Sequence, residues 1–203
     1  MRPIVKWAGG KRQLLPVIKE MMPREFNTYY EPFFGGGALF FELEPEQAVV
    51  NDFNRQLINT YRQVKANPLG VCRTIINLEE IYNACPTMEA KDEKYYSYRY
   101  IFNDMIRRDV CNAKSAGLFI VMNKASFNGL YRVNATGEFN VSPAHRKVLR
   151  AYDHDNIYGA SKALRKAKIM CGDFERACKE AKAGDFVFFD SPYYNTFDTY
   201  QAG

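Results

Sequence analysis

The feature that most constrains this chain is a pattern met four times: a short apolar segment closed by a glycine or acidic turn. Thr28 to Phe33 runs into Gly35-Gly36-Gly37 and then the apolar Ala38-Leu39-Phe40-Phe41. Gln47 to Val50 ends in Asn51-Asp52, after which Leu57, Ile58, Tyr61 and Val64 repeat at helical spacing. Lys168 to Cys171 ends in Gly172-Asp173 before a short helical stretch, Phe174 to Lys182. Phe186-Val187-Phe188-Phe189 closes on Asp190-Ser191-Pro192. Buried strands alternating with helices predict an α/β fold with a parallel sheet, because parallel neighbours need a crossover between them. Ligands of such sheets gather outside the carboxyl ends of the strands. Glu31, Asp52, Asp173 and Asp190 all fall there.

The second and third strands are separated by a long insertion, 68–160. Within it 68–83, 92–109 and 112–124 read as helices, although Leu118 to Met122 also suits a strand. Residues 125–145, rich in Asn and Gly, read as a loop or hairpin. The chain thus divides into a sheet domain, 1–67 with 161–203, and a subdomain, 68–160. Charge follows that division. Residues 94–168 hold 14 Lys and Arg against 5 Asp and Glu, a local +9 in a chain of net charge +5. The same stretch carries eleven Tyr and Phe, among them Tyr95, Tyr96, Tyr98, Tyr100, Phe127 and Tyr131. Cations interleaved with rings suit nucleic acid, where counterion release supplies affinity and rings stack on bases. A solvated helical face with its aromatics in the core explains the same composition.

Other classes are disfavoured. The chain of 203 residues suits one compact domain with a subdomain. The apolar run Gly117 to Met122 is too short to cross a bilayer, and Met1 to Trp7 lacks the apolar stretch of a secretory signal. Five scattered cysteines make no disulfide framework, and two histidines without a CxxC pair make no zinc site. The expectation is a reduced, cytoplasmic protein with no metal and no membrane association.

Glycines at 35 and 37, between a strand and a helix, permit positive φ and close approach of a ligand to the backbone. Asp52, fifteen residues past Gly37 at the next strand end, is placed to accept ribose hydroxyls. A tight structural turn and a helix N-cap are the plainer readings of each. Together they suit a nucleoside cofactor, either NAD or S-adenosyl-L-methionine. Asp190-Ser191-Pro192-Tyr193 separates the two. An exocyclic amine on a nucleobase is a poor nucleophile, because its lone pair is delocalised into the ring. A carboxylate and a neighbouring backbone carbonyl can each accept one of its hydrogens and turn the lone pair toward an electrophilic methyl group. Pro192 biases Ser191 toward an extended backbone, and Tyr193 offers a face for the base to stack on.

With these residues the chain resembles the Dam-type (class D12) DNA adenine-N6 methyltransferases. Four motifs in the family's order carry the resemblance over nearly the whole chain: Lys6-Trp7-Ala8-Gly9-Gly10-Lys11; Glu31-Pro32-Phe33 with Gly35 and Gly37; Phe127 to Asn134 with Gly137 to Val141; and Asp190-Ser191-Pro192-Tyr193. The resemblance implies a Rossmann-like sheet that uses S-adenosyl-L-methionine, with an inserted, mainly helical DNA-recognition subdomain. It implies transfer of a methyl group to N6 of a flipped-out adenine in double-stranded DNA by a bacterial or phage-encoded enzyme.

By that resemblance Trp7 and Lys11 meet the cofactor's methionine end. Phe33, Gly35 and Gly37 line its cleft, Asp52 takes the ribose, and Asp173 and Phe174 meet the adenine. Asp190 touches both the methionine amino group and the target N6, with Ser191, Pro192 and Tyr193 completing the catalytic motif. In the insertion Phe127 wedges into the duplex, Arg132 reaches guanine and Leu130 meets a thymine methyl. Asn128 and Asn134 belong to the same hairpin, and Lys124 holds a phosphate.

Two departures from the family pattern stand out. Serine occupies 191 where the family has a proline, which keeps the carbonyl but adds an N–H and loosens φ. The family pattern also continues with further strands and helices past Gly203. The expectation is a four-strand sheet without that C-terminal part, with a partner chain as one way of completing it. The competing functions are a catalytically impaired DNA-binding fragment, an amino methyltransferase acting on cytosine N4, RNA or protein glutamine, and a dinucleotide dehydrogenase.

Overall fold

The computed structural model describes residues 1–191, so Pro192 and Tyr193 lie outside the described residues. Among the described residues four parallel strands form one sheet in the order β3-β2-β1-β4. They are β1 (Tyr29–Glu31), β2 (Ala48–Asp52), β3 (Ala167–Cys171) and β4 (Phe186–Val187). β2 runs in register with β3 from Ala48 opposite Ala167 to Asp52 opposite Cys171, and Tyr29 of β1 faces Phe186 of β4. Each expected strand forms, but β1 and β4 are shorter than their apolar runs. Pro32 has no N–H to extend the ladder, and the Phe34 amide turns instead to the Asn51 carbonyl at 2.8 Å.

The helices are α1 (Leu15–Met21), α2 (Ala38–Leu43), α3 (Arg55–Ala66), α4 (Pro68–Asn83), α5 (Met88–Arg107), α6 (Ala113–Ala125), α7 (His154–Leu164) and α8 (Phe174–Cys178). Their starts are written in the sequence. Asn54, Asn67, Thr87, Asn112 and Asp153 each accept from a backbone N–H of the first turn, and Asn112 forms a reciprocal capping box with Ser115. The expected helix Phe174 to Lys182 stops at Cys178, and the run Leu118 to Met122 is helical.

α6 explains why that run was ambiguous. From Ser115 to Ala125 every residue except Lys124 is buried, so the helix has no polar face to mark its period. It packs against α3, α4 and α5. One apolar cluster consequently joins Tyr29, Phe34, Phe40, Phe41 and Tyr61 at the sheet to Tyr95, Phe102, Phe119 and Phe139 in the insertion. The division at 160 falls within α7, which packs on both α3 and α4. Among the described residues no helix is long and apolar enough to cross a membrane.

The 125–145 segment is a hairpin-like excursion. A single turn at Phe127–Gly129 opens it, and antiparallel bridges join Ser126 to Pro143 and Val133 to Phe139. α5 pins its far side. Asn103 Nδ2 donates to the Phe139 carbonyl at 3.0 Å, the Phe139 amide donates to Asn103 Oδ1 at 2.8 Å, and Tyr95 Oη donates to the Val141 carbonyl at 2.8 Å.

Candidate active site

The carboxyl ends of the four strands converge on the glycine turn. Gly35 and Gly37 lie at φ +47° and +64°, a region that L side chains rarely adopt. A Cβ on Gly35 would come within 2.6 Å of the Trp7 ring, so the indole rests directly on the turn. Asp52 takes the Gly35 amide on Oδ2 and the Asn54 amide on Oδ1, both at 2.8 Å. Burial raises its carboxyl above the usual range, and the Asn54, Gly35 and Phe53 amides oppose that rise. The partly buried carboxylate therefore organises the turn at the strand end, so the cap reading and the ribose reading share one group.

Lys11 Nζ bridges the Gly9 carbonyl at 2.8 Å and Asp190 Oδ1 at 2.6 Å. Both side chains are largely shielded, at 18% and 25% exposure. Residues far apart in sequence thus set a cation and a carboxylate side by side at the end of β4. Ser191 follows, exposed. Phe33, Phe174 and Phe189 group nearby with ring centroids 5.2 to 6.4 Å apart, offering flat apolar faces with two of them more than a third exposed. Asp173 accepts from the Glu175 amide at 2.7 Å and so caps α8. Beneath the turn, Glu31 accepts from Tyr29 Oη at 2.8 Å, and burial pushes its carboxyl up to about 8.

The expected nucleic-acid residues gather at the hairpin. Phe127 is 55% exposed, Leu130 is 38% exposed, and Asn128 takes φ +54° between them. Arg132 Nε donates to Asn140 Oδ1 at 2.8 Å across the hairpin, which orients an exposed guanidinium. Lys124 sits at its base, half-buried, with its ammonium pKa lowered by burial and by the Lys6 and Arg2 charges. Asn134 is engaged differently. Its Oδ1 accepts from the Thr136 amide and hydroxyl and from the Glu138 amide, at 2.7 to 3.1 Å, so it builds the turn that closes the hairpin.

Several residues that hold the site were not singled out from the sequence. Asn51 Nδ2 donates to the Pro32 carbonyl at 3.0 Å and to the Gly172 carbonyl at 2.9 Å, tying three strand ends together. Tyr61, read as part of an apolar helical stripe, donates its hydroxyl to the Gly35 carbonyl at 2.8 Å. Asn123 fixes Lys6 and Gly129. A buried polar residue inside an apolar run was the available signal for Asn123. Nothing local marks Asn51 or Tyr61.

Among the described residues no group of three or more His, Cys, Asp or Glu side chains is arranged to hold a metal ion. A cleft of about 470 Å³ lined by Met1, Pro3, Arg12, Leu15 and Lys19 contains none of the candidate residues.

Comparison with known proteins gives a consistent result. A family model described as D12 class N6 adenine-specific DNA methyltransferase matches residues 7–202. The chain is 45% identical over 195 residues to the Type II methyltransferase M1.LlaDCHI of Lactococcus lactis subsp. cremoris, covering 95% of this chain and 66% of that protein. It is 38% identical to the Type II methyltransferase M.MjaIII of Methanocaldococcus jannaschii, covering 95% of this chain and 69% of that protein. It is 31% identical to the DNA adenine methylase of Escherichia coli K12, covering 95% of this chain and 65% of that protein. The chain spans about two thirds of the length of these relatives. It belongs to the D12 class N6 adenine-specific DNA methyltransferase family.

Proposed function

We propose that this chain transfers a methyl group from S-adenosyl-L-methionine to N6 of a flipped-out adenine in duplex DNA. The observation that carries the reading is the Lys11–Asp190 pair at 2.6 Å, at the end of the strand beside the Gly35–Asp52 turn. Family membership and relatives named as adenine methylases support the same reading. In this reading 1–67 and 161–203 hold the donor, and 68–160 faces the duplex.

The residues fit the donor. Gly35 and Gly37 let the Trp7 and Phe34 rings close on the turn, where a Cβ would fall 2.6 and 2.5 Å from them, so the backbone there is held at positive φ beside the indole. Lys11 supplies a cation for a carboxylate, Asp190 an anion for an ammonium, Asp52 an acceptor for ribose hydroxyls, and Phe33 and Phe174 faces for a purine. When bound, S-adenosylmethionine supplies an electrophilic methyl on a sulfonium. The chain's own task is to position the amine. The Asp190 carboxylate accepts one N6 hydrogen, and the Ser191 carbonyl accepts the other. The nitrogen becomes pyramidal, and its lone pair is held out of the ring. Phe127 wedges into the stack that the adenine leaves, and Arg132 reads a neighbouring base edge. Lys124 contributes sequence-independent phosphate binding.

The test is incubation of the purified chain with isotope-labelled S-adenosylmethionine and unmethylated DNA, followed by digestion and nucleoside mass spectrometry. Label in N6-methyldeoxyadenosine is expected. Label in N4-methyldeoxycytidine replaces the substrate, as does label that enters only RNA or protein glutamine when these are offered in parallel reactions in place of the DNA. DNA binding without transfer replaces the activity.

A further inference from the structure

The Asn123 side chain is the link between the two halves of the site. It lies near the end of α6, 3% exposed, in an otherwise apolar stretch, and its hydrogen bonds all leave the helix. Oδ1 accepts the Lys6 amide at 2.8 Å, and Nδ2 donates to the Lys6 carbonyl at 2.9 Å and to the Gly129 carbonyl at 2.8 Å. One buried amide thus takes both backbone groups of the residue before Trp7 and the carbonyl of the turn that carries Phe127 and Asn128. Loop and turn are pressed together at the same point. Gly129 sits at φ +66°, where a Cβ would fall 2.5 Å from Lys6 Cδ and 2.8 Å from Lys6 Cβ. One residue past Lys6 and two past Gly129, the contact continues through rings. Trp7 stacks on Tyr131 with centroids 5.5 Å apart and planes 23° apart, and Trp7 in turn rests on Gly35.

We infer that Asn123 is a positioning residue that couples donor binding to DNA binding. The inference rests on the functional reading above, which puts Trp7 and Lys11 against the donor and Phe127 and Asn128 against the duplex. Ordering the 6–11 loop against a donor fixes Lys6, and through Asn123 it fixes the Gly129 carbonyl and the exposed ring beside it. Ordering the turn on DNA does the reverse. Coupling of this kind is reciprocal, so each ligand raises the other's affinity by one common factor. A core amide that only satisfied its own hydrogen bonds would change stability and leave that factor alone.

The chain has a single tryptophan, Trp7, whose fluorescence reports donor-side binding. The experiment measures the dissociation constant of S-adenosylhomocysteine by Trp7 fluorescence, with and without saturating sheared genomic DNA. The wild-type chain is expected to bind it at least about fivefold more tightly with DNA present. Asn123→Ser, and independently Gly129→Ala from the opposite side of the contact, bring the factor close to one. Asn59→Ala is the matched control. It removes another buried amide, bonded to Ser115 Oγ at 3.0 Å, and is expected to lower thermal stability while keeping the wild-type factor. A wild-type factor of one, or a factor that Asn123→Ser and Gly129→Ala leave intact, overturns the inference alone. No S-adenosylhomocysteine binding by the wild-type chain overturns the functional reading and this inference together.

Discussion

Tyr61 donates its hydroxyl to the Gly35 carbonyl at 2.8 Å, while the Gly35 amide is held by Asp52 at the same distance. Both polar groups of one glycine are therefore tied to different elements, α3 and β2, and the turn is fixed from two sides. Tyr61→Phe keeps the ring packed 4.7 Å from Phe34 and leaves a buried carbonyl unsatisfied. The expected loss is about 1–3 kcal/mol of unfolding free energy, read by urea denaturation. A smaller binding loss should accompany it, because the turn stays in place.

Gly35→Ala tests the same turn from its other side. The residue must hold φ +47° with a methyl 2.6 Å from the Trp7 ring, so either the indole or the turn moves. Strain at the positive φ costs about 1–2 kcal/mol, and displacement of Trp7 adds to it. S-adenosylhomocysteine binding should weaken at least tenfold, and the emission of the single tryptophan should shift even without ligand.

Asp190→Asn separates charge from shape. The amide fits the space but offers Lys11 no counter-charge and the substrate amine a weaker acceptor. Methyl transfer is expected to fall by about two orders of magnitude or more, the range of a lost electrostatic contact at a reacting centre. The melting temperature is expected to fall as well, because the amide withdraws a counter-charge from a largely shielded ammonium.

Phe127→Ala should leave the fold untouched, since the ring is 55% exposed. Its effect is expected on DNA binding and turnover only, with unchanged S-adenosylhomocysteine affinity in the absence of DNA. Equal losses in thermal stability and in activity would mark the ring as a packing element instead.

Glu31 gives a pH signature. Burial raises its folded-state carboxyl to about 8, above the ordinary carboxylate value of 4.5. Between those values the folded chain holds a proton that the unfolded chain has released, so stability falls as pH rises through the window. The raised Asp52 carboxyl acts in the same direction. Urea unfolding at pH 5, 7 and 9 should show declining stability, with a shallower slope in Glu31→Gln, whose side chain does not titrate.

Much of the fold was legible because it rests on local chemistry. Short apolar runs closed by Asp, Asn or Gly mark the strands, and apolar spacing marks α3, α4 and most of α5, whereas α1 and α7 were not read from the sequence. α6 was legible in position but not in type, since a helix buried all round loses the periodicity that identifies it. The residues Trp7, Gly35, Asp52 and Asp190 were legible as members of short motifs, and the structure joins Trp7 to Gly35, Gly35 to Asp52 and Lys11 to Asp190. What joins them was not. The Asn123 bonds to Lys6 cross 117 residues, and the Asn51 bond to Gly172 crosses 121. No window along the chain contains both partners. Asn134 adds a role that its motif did not announce: its Oδ1 builds the turn that closes the hairpin.

The Asn51 clamp has a consequence for assembly. It joins the carbonyl at 172 to the one at 32, with the whole insertion lying between them in the chain. Contacts of such long range form slowly and late, because the intervening chain must give up its freedom first. The rim that would receive a donor thus depends on a contact that spans the whole insertion. Packing errors deep in the insertion should surface as lost ligand affinity, even where every rim residue is unaltered.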